Sequence, residues 1–105
     1  MMAHIDNFPF SKEMTAALLD GRKCCTSRSK KYGELGDTFN VEDEVFRIVD
    51  IVPELLSDIT ALYYRCEGCR TADEFIDLWK RLHRGVWNPD RVYYIHFLGH
   101  VRRLV

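Results

Sequence analysis

Residues 21–28 read GRKCCTSR, and what this stretch is decides the fold around it. Before it, Ser11 and KEMTAALLD have the form of a short helix. Ser11 is its N-cap, and Met14, Ala17 and Leu18 share one face. Gly21 stands where such a helix stops, because glycine takes the left-handed backbone without a Cβ penalty. After it, Thr26 and two cysteines with no strong helix former among them predict extended chain. The segment is too polar for an ordinary core strand. Three readings are open: an exposed edge, half of a metal site, or the lining of a pocket.

Composition bounds the answer. The chain of 105 residues is 47% hydrophobic and 30% charged, which is ordinary for one soluble domain spanning 1–105 with its own core. Fifteen basic and sixteen acidic side chains leave a net charge of −1, so no global field announces a polyanionic partner. The opening MMAHIDNFPF has no apolar run of signal or membrane-span length. The expectation is a cytoplasmic, monomeric protein with no membrane association, whose four cysteines stay reduced. Cys24-Cys25 and Cys66-x-x-Cys69 could supply zinc ligands. Adjacent residues on extended chain point to opposite faces, however, so no metal and no cofactor is expected.

Downstream, Gly36-Asp37 signals a turn into a strand over 38–41, and Glu42-Asp43 turns the chain into a second strand over 44–52. Pro53 fits the first position of a helix through ELLSDITALYY. RCEGCR (65–70) breaks the pattern. Thr71 and Glu74 then form a capping box ahead of a helix carrying Phe75, Leu78, Trp79 and Leu82 on one side. Gly85, Asn88 and Pro89 end it, and RVYYIHFLGHVRRLV reads as a long closing strand bent at Gly99. The order α-β-β-β-α-α-β predicts an α+β domain with a mixed, curved sheet or small barrel partly covered by helices.

Three features stand out chemically. Lys23, Thr26 and Arg28 offer a base or anion clamp, a hydroxyl and a cation. Glu67 precedes Gly68 in the break between two helices, where backbone can approach a ligand closely. Arg28, Lys30, Lys31 and Tyr32 combine positive charge with an aromatic face, which suits phosphate and base. Each has a bland counterpart: a solvated edge, a loop acid, a solvated loop. Lys23 and Thr26 are three residues apart, so a regular strand would send them to opposite faces.

The ordered set Gly21-x-Lys23-x-x-Thr26-x-Arg28, Gly36-Asp37, Glu67-Gly68, ADEFIDLWKRLH and VYYIHFL resembles the ASCH domain (activating signal cointegrator homology), over about Phe10 to Leu98. The resemblance implies a PUA-like fold, a small curved β-barrel flanked by helices, with a cleft lined by the Gly-x-Lys motif. It implies RNA or a modified nucleoside as partner. One branch of that family is an amidohydrolase of N-4-acetylcytidine using a lysine, a threonine and a glutamate, which match Lys23, Thr26 and Glu67. On that reading Lys23 takes the Thr26 proton, the Thr26 oxygen attacks the acetyl carbonyl, Glu67 protonates the leaving amine, and Arg28 steadies the oxyanion or orients the base. Gly21, Arg28, Lys30, Lys31 and Tyr32 would bind the ligand. The alternatives are a non-catalytic RNA-binding module and a regulatory ligand-binding domain. A protein-interaction surface over Val86–Tyr94 has no feature of its own to support it.

Overall fold

The structure, a computed structural model, describes residues 3–6 and 8–104. The elements run β1 (His4–Ile5), α1 (Lys12–Leu19), β2 (Cys25–Arg28), β3 (Thr38–Val41), β4 (Glu44–Leu55), α2 (Leu56–Tyr63), α3 (Ala72–Leu82) and β5 (Val92–Arg103). The five strands form one mixed sheet in the order β1-β3-β4-β5-β2, antiparallel throughout except for β1 beside β3. This is the expected α+β, PUA-like architecture.

The spine is the pairing of β4 with β5, twelve residues each. Their ladder shifts register at Val49 and again at Val101, each an extra residue with no partner opposite. Such bulges bend and twist a long two-stranded ribbon, which lets the sheet curve. The irregularity predicted at Gly99 thus lies mainly elsewhere, since Gly99 pairs with Arg47. A Cβ there would lie 3.1 Å from the bulged Val49 side chain, so the glycine makes room for the bulge. Val105, the last residue of the predicted strand, lies outside the described residues.

Alternation along β5 serves two cores. Tyr93 and Ile95 face α2 and α3, joining Leu56, Ile59, Phe75, Leu78 and Trp79. Leu98 faces the other way, toward Phe8, Leu18, Phe39, Phe46 and Ile48.

The helix start predicted at Pro53 is wrong. Pro53 lies within β4, paired with Tyr94, and α2 begins at Leu56. β3 flanks β4 only as far as Arg47, so the far half of β4 is an edge on that side and tolerates a residue without an N–H. The helix has no side-chain cap. Its first amides, Leu56 and Ser57, donate instead to the carbonyls of Arg91 (2.9 Å) and Pro89 (2.9 Å), partners more than thirty residues away. β1 was likewise missing from the sequence reading. It is held by the Asp37 carboxylate, which accepts from the amides of Ala3 and Glu34, both at 2.9 Å, and these bonds pull its pKa down.

Within β5, His96 is fully buried. Its Nε2 accepts the Tyr32 amide at 3.0 Å, so its Nδ1 carries the proton and donates to the Tyr94 carbonyl at 3.0 Å. Burial is the main cause that lowers its pKa, against the opposing backbone bonds. A depressed histidine pKa means that the unfolded chain binds its proton first. The stability supplied by neutral His96 is therefore whole above the unfolded value, about 6.5, and is lost as pH falls through the folded value. Denaturant titrations from pH 8 down to pH 5 are expected to show wild type losing stability more steeply than His96→Asn, with equal slopes counting against this account.

Candidate functional site

The site is assembled by two turns that meet. At the first, α1 ends, Gly21 adopts φ +85°, and the Lys23 amide donates to the Ala17 carbonyl at 3.0 Å. That folds the chain back so Lys23 enters β2 already anchored to the helix. At the second, the chain between α2 and α3 is turned by bonds from the Glu67 amide to Tyr63 O (3.0 Å) and from the Gly68 amide to Arg65 O (2.9 Å). Lys23 and Glu67 then pair as an antiparallel bridge. The amides of Cys24 and Cys25 both donate to Cys66 O, at 2.7 and 3.0 Å.

Gly68 has φ +97°, and a Cβ there would come 3.2 Å from Lys23 Cβ and 3.3 Å from Ala17 Cβ. The close approach that a glycine in this turn implies is therefore to Lys23 and α1, not to a ligand. Gly68→Ala is expected to cost about 1–2 kcal/mol from the left-handed backbone alone, read as a lowered melting temperature.

Lys23 and Glu67 are 3% and 4% exposed, a depth at which unpaired charge is untenable. Lys23 Nζ donates to Glu67 Oε1 at 3.0 Å and to the Glu67 main-chain carbonyl at 3.3 Å. The second carboxylate oxygen, Oε2, accepts from Ser27 Oγ at 2.5 Å. Removing one partner strands the other. Lys23→Met is expected to lose about 3–5 kcal/mol, while Lys23→Met combined with Glu67→Leu recovers most of that loss, as measured by denaturant unfolding.

Above this floor lies a cavity of about 550 Å³, within the range of small-ligand sites. One wall is apolar and aromatic: Phe75, Leu78 and Trp79 of α3 with Tyr93 of β5. Trp79 meets Tyr93 edge-on at 4.8 Å and stacks on His83 at 4.1 Å. His83 Nδ1 donates to the Trp79 carbonyl at 2.8 Å, leaving Nε2 for other partners. Arg91, above the Tyr93 ring at 5.0 Å, also lines the cavity.

Thr26 and Arg28 also line the cavity. Thr26 Oγ1 accepts from Arg28 Nε at 3.2 Å, and among the described residues no hydrogen bond joins Thr26 to Lys23 or Glu67. Arg28 donates to the Pro9 carbonyl at 2.6 Å and sits among the rings of Phe8, Phe10 and Tyr32 at 4.9, 4.9 and 5.1 Å. Its cation is thus largely engaged by the protein. Tyr32 lines the cavity, whereas Gly21, Lys30 and Lys31 lie outside its lining. Gly21 acts at the helix end, Lys30 lies over Tyr32 (5.4 Å), and Lys31 lies over Tyr94 (5.6 Å).

The sequence reading assigned none of Ser27, His83, Arg91 and Tyr93 to this site, and took Trp79 only as part of the apolar side of its helix. Ser27 carried a usable signal: it is four residues from Lys23, so extended chain puts both on one face. The others come from distant elements and had none.

Among the described residues no three His, Cys, Asp or Glu side chains converge as metal ligands. Cys25 is buried and Cys24 exposed, on opposite sides of the chain. Desolvation pushes the thiol pKa of Cys24 and Cys69 up to about 11, with the Cys66 thiol adding to the rise at Cys24. Among the described residues no helix is long and apolar enough to cross a membrane.

The same arrangement of elements recurs in solved structures. One is that of an ASCH domain from Lactobacillus crispatus JV V101, with a TM-score of 0.59 and 11% identity over 94% of this chain and 79% of that one. The fold is that of an ASCH domain. Protein EF3133 from Enterococcus faecalis V583, of the family DUF984, has a TM-score of 0.62 and 14% identity over 96% of this chain and 81% of that one. The hypothetical protein PH0355 has a TM-score of 0.64 and 10% identity over 96% of this chain and all of that one. No protein-family model and no curated protein matches the sequence. In this ASCH fold the cavity opens where β2, α3 and the turn between α2 and α3 come together.

Proposed function

We propose that the cleft binds a nucleobase, presented by a modified nucleoside or by RNA, and hydrolyses a small acyl amide on it such as that of N-4-acetylcytidine. The observation that carries this reading is the buried Lys23–Glu67 pair with a β2 hydroxyl on its free carboxylate oxygen, at the floor of an aromatic-walled cavity. Planar aromatic ligands gain from such a wall, and His83 and Arg91 add polar groups along it. Amide hydrolysis needs a hydroxyl or water beside a proton acceptor and a donor for the leaving amine. Glu67 can serve as both in turn, with the Lys23 ammonium supplying the positive charge that a developing oxyanion needs.

The pairing changes the role that the ASCH resemblance gave to Lys23. In this reading Lys23, which donates to a carboxylate and a carbonyl, takes the part of a cation beside the oxyanion in place of the base. Incubation with N-4-acetylcytidine and chromatography is expected to show cytidine released by wild type, and a loss of at least about 100-fold in Glu67→Gln and in Lys23→Ala. Melting curves of both variants separate lost chemistry from lost fold. Release that survives both substitutions would sink the mechanism.

The second reading is binding without chemistry, and the exposed Lys30 and Lys31 beside Tyr32 and Tyr94 favour it. It predicts no cytidine release, together with affinity for single-stranded RNA that falls linearly in log–log form with salt.

A further inference from the structure

The hydroxyl that the resemblance selects and the hydroxyl that the geometry selects are different residues. A serine or threonine becomes a nucleophile when a proton acceptor lies within hydrogen-bond reach. Thr26 has none among the described residues: its oxygen accepts from Arg28 Nε, a group that can only donate. Ser27 donates to Glu67 Oε2 at 2.5 Å, and Glu67 is oriented from its other side by Lys23 Nζ at 3.0 Å. The three make a chain from cation to carboxylate to hydroxyl, the order in which nucleophile, base and orienting group stand in acyl-transfer sites.

Strand geometry produces this arrangement. Lys23, Cys25 and Ser27 alternate onto the face toward α2 and α3, where Cys25 packs among Leu56, Ile59 and Ile95. Thr26 and Arg28 alternate onto the face toward Pro9 and Tyr32. Ser27 is 7% exposed and is among the residues that line the cavity.

We propose that Ser27 is the acyl-accepting nucleophile of this cleft, with Glu67 as its base and Lys23 as the group that orients Glu67 and faces the oxyanion. The proposal rests on the hydrolytic reading above. In the first half, Ser27 Oγ bonds to the acyl carbon, its proton moves to Glu67 Oε2, and the carbonyl electron pair moves onto oxygen. That pair then returns, the carbon–nitrogen bond breaks, and the leaving nitrogen takes the proton from Glu67. In the second half, water adds to the ester on Ser27 and gives a proton to Glu67. The bond from carbon to Oγ breaks, the proton returns to Ser27, and the carboxylic acid leaves. No cofactor or redox partner enters the balance.

The test uses N-4-acetylcytidine with wild type, Ser27→Ala and Ser27→Thr. Single-turnover reactions are quenched in acid, and any acetyl group in residues 24–28 is localised by fragmentation mass spectrometry. The expected result is a fall in cytidine release of at least about 100-fold in Ser27→Ala, measurable activity in Ser27→Thr, and acetyl on Ser27 in wild type. Equal melting temperatures exclude a purely structural effect, and the Ser27→Thr result carries the test if the alanine variant melts early. Ser27→Ala within about threefold of wild type, or acetyl found on Thr26, overturns the proposal and leaves the hydrolytic reading standing. Absence of release by wild type overturns both.

Discussion

The ion pair between Lys23 and Glu67 is the constraint around which the rest of the structure is arranged. Two opposite charges at 3% and 4% exposure are tolerated only if they meet each other and their remaining polar atoms are also satisfied. Meeting requires the chain after α1 to run alongside the turn between α2 and α3. That in turn fixes where β2 starts, which residues of β2 share a face with Lys23, and how closely α3 approaches the sheet. Gly68 follows from the same requirement, because the turn comes too near Lys23 and Ala17 for a side chain to fit without a shift. The pair also leaves one carboxylate oxygen for a third partner, Ser27. What stabilises the junction thereby also makes it chemically competent, with a base held in place before any ligand arrives.

A second junction closes the opposite side. β1 and β2 are the two edges of the sheet, and edges left open invite unwanted pairing. The chain between them in space, Phe8–Phe10, covers this gap through Arg28, whose guanidinium is held by three aromatic rings and the Pro9 carbonyl. Burial lowers the pKa of this arginine, and the nearby Tyr32 opposes that. Buried neutral His96 supports the same corner by accepting the Tyr32 amide. The sheet is therefore closed on this side by side chains and not by strand pairing.

Local elements were legible wherever their determinants were local. Ser11 and Thr71 cap α1 and α3 because a hydroxyl three residues from an amide is a short-range geometry, and both bonds form. The β3–β4 hairpin announced itself through Glu42-Asp43, and Glu42 takes φ +53° there. The start of α2 was misplaced because its first amides are satisfied by Arg91 and Pro89, so nothing near Leu56 marked it. β1 failed because its hold on β3 is reinforced by one distant carboxylate, Asp37.

The functional residues divide on the same line. By itself the amino-acid sequence determined that Lys23 and Glu67 would sit beside helix ends and that Thr26 and Arg28 would sit in extended chain, since glycine placement, helix ends and strand propensity are short-range matters. It also determined that Lys23 and Ser27 share a face once the segment is extended, because strand alternation is a property of the backbone. Only the tertiary structure decided that Glu67 pairs with Lys23, that its free oxygen takes Ser27 and not Thr26, and that Trp79, His83, Arg91 and Tyr93 wall the same cavity. Those contacts join residues far apart in the chain, where burial, charge compensation and packing choose the partner, and no local pattern records that choice.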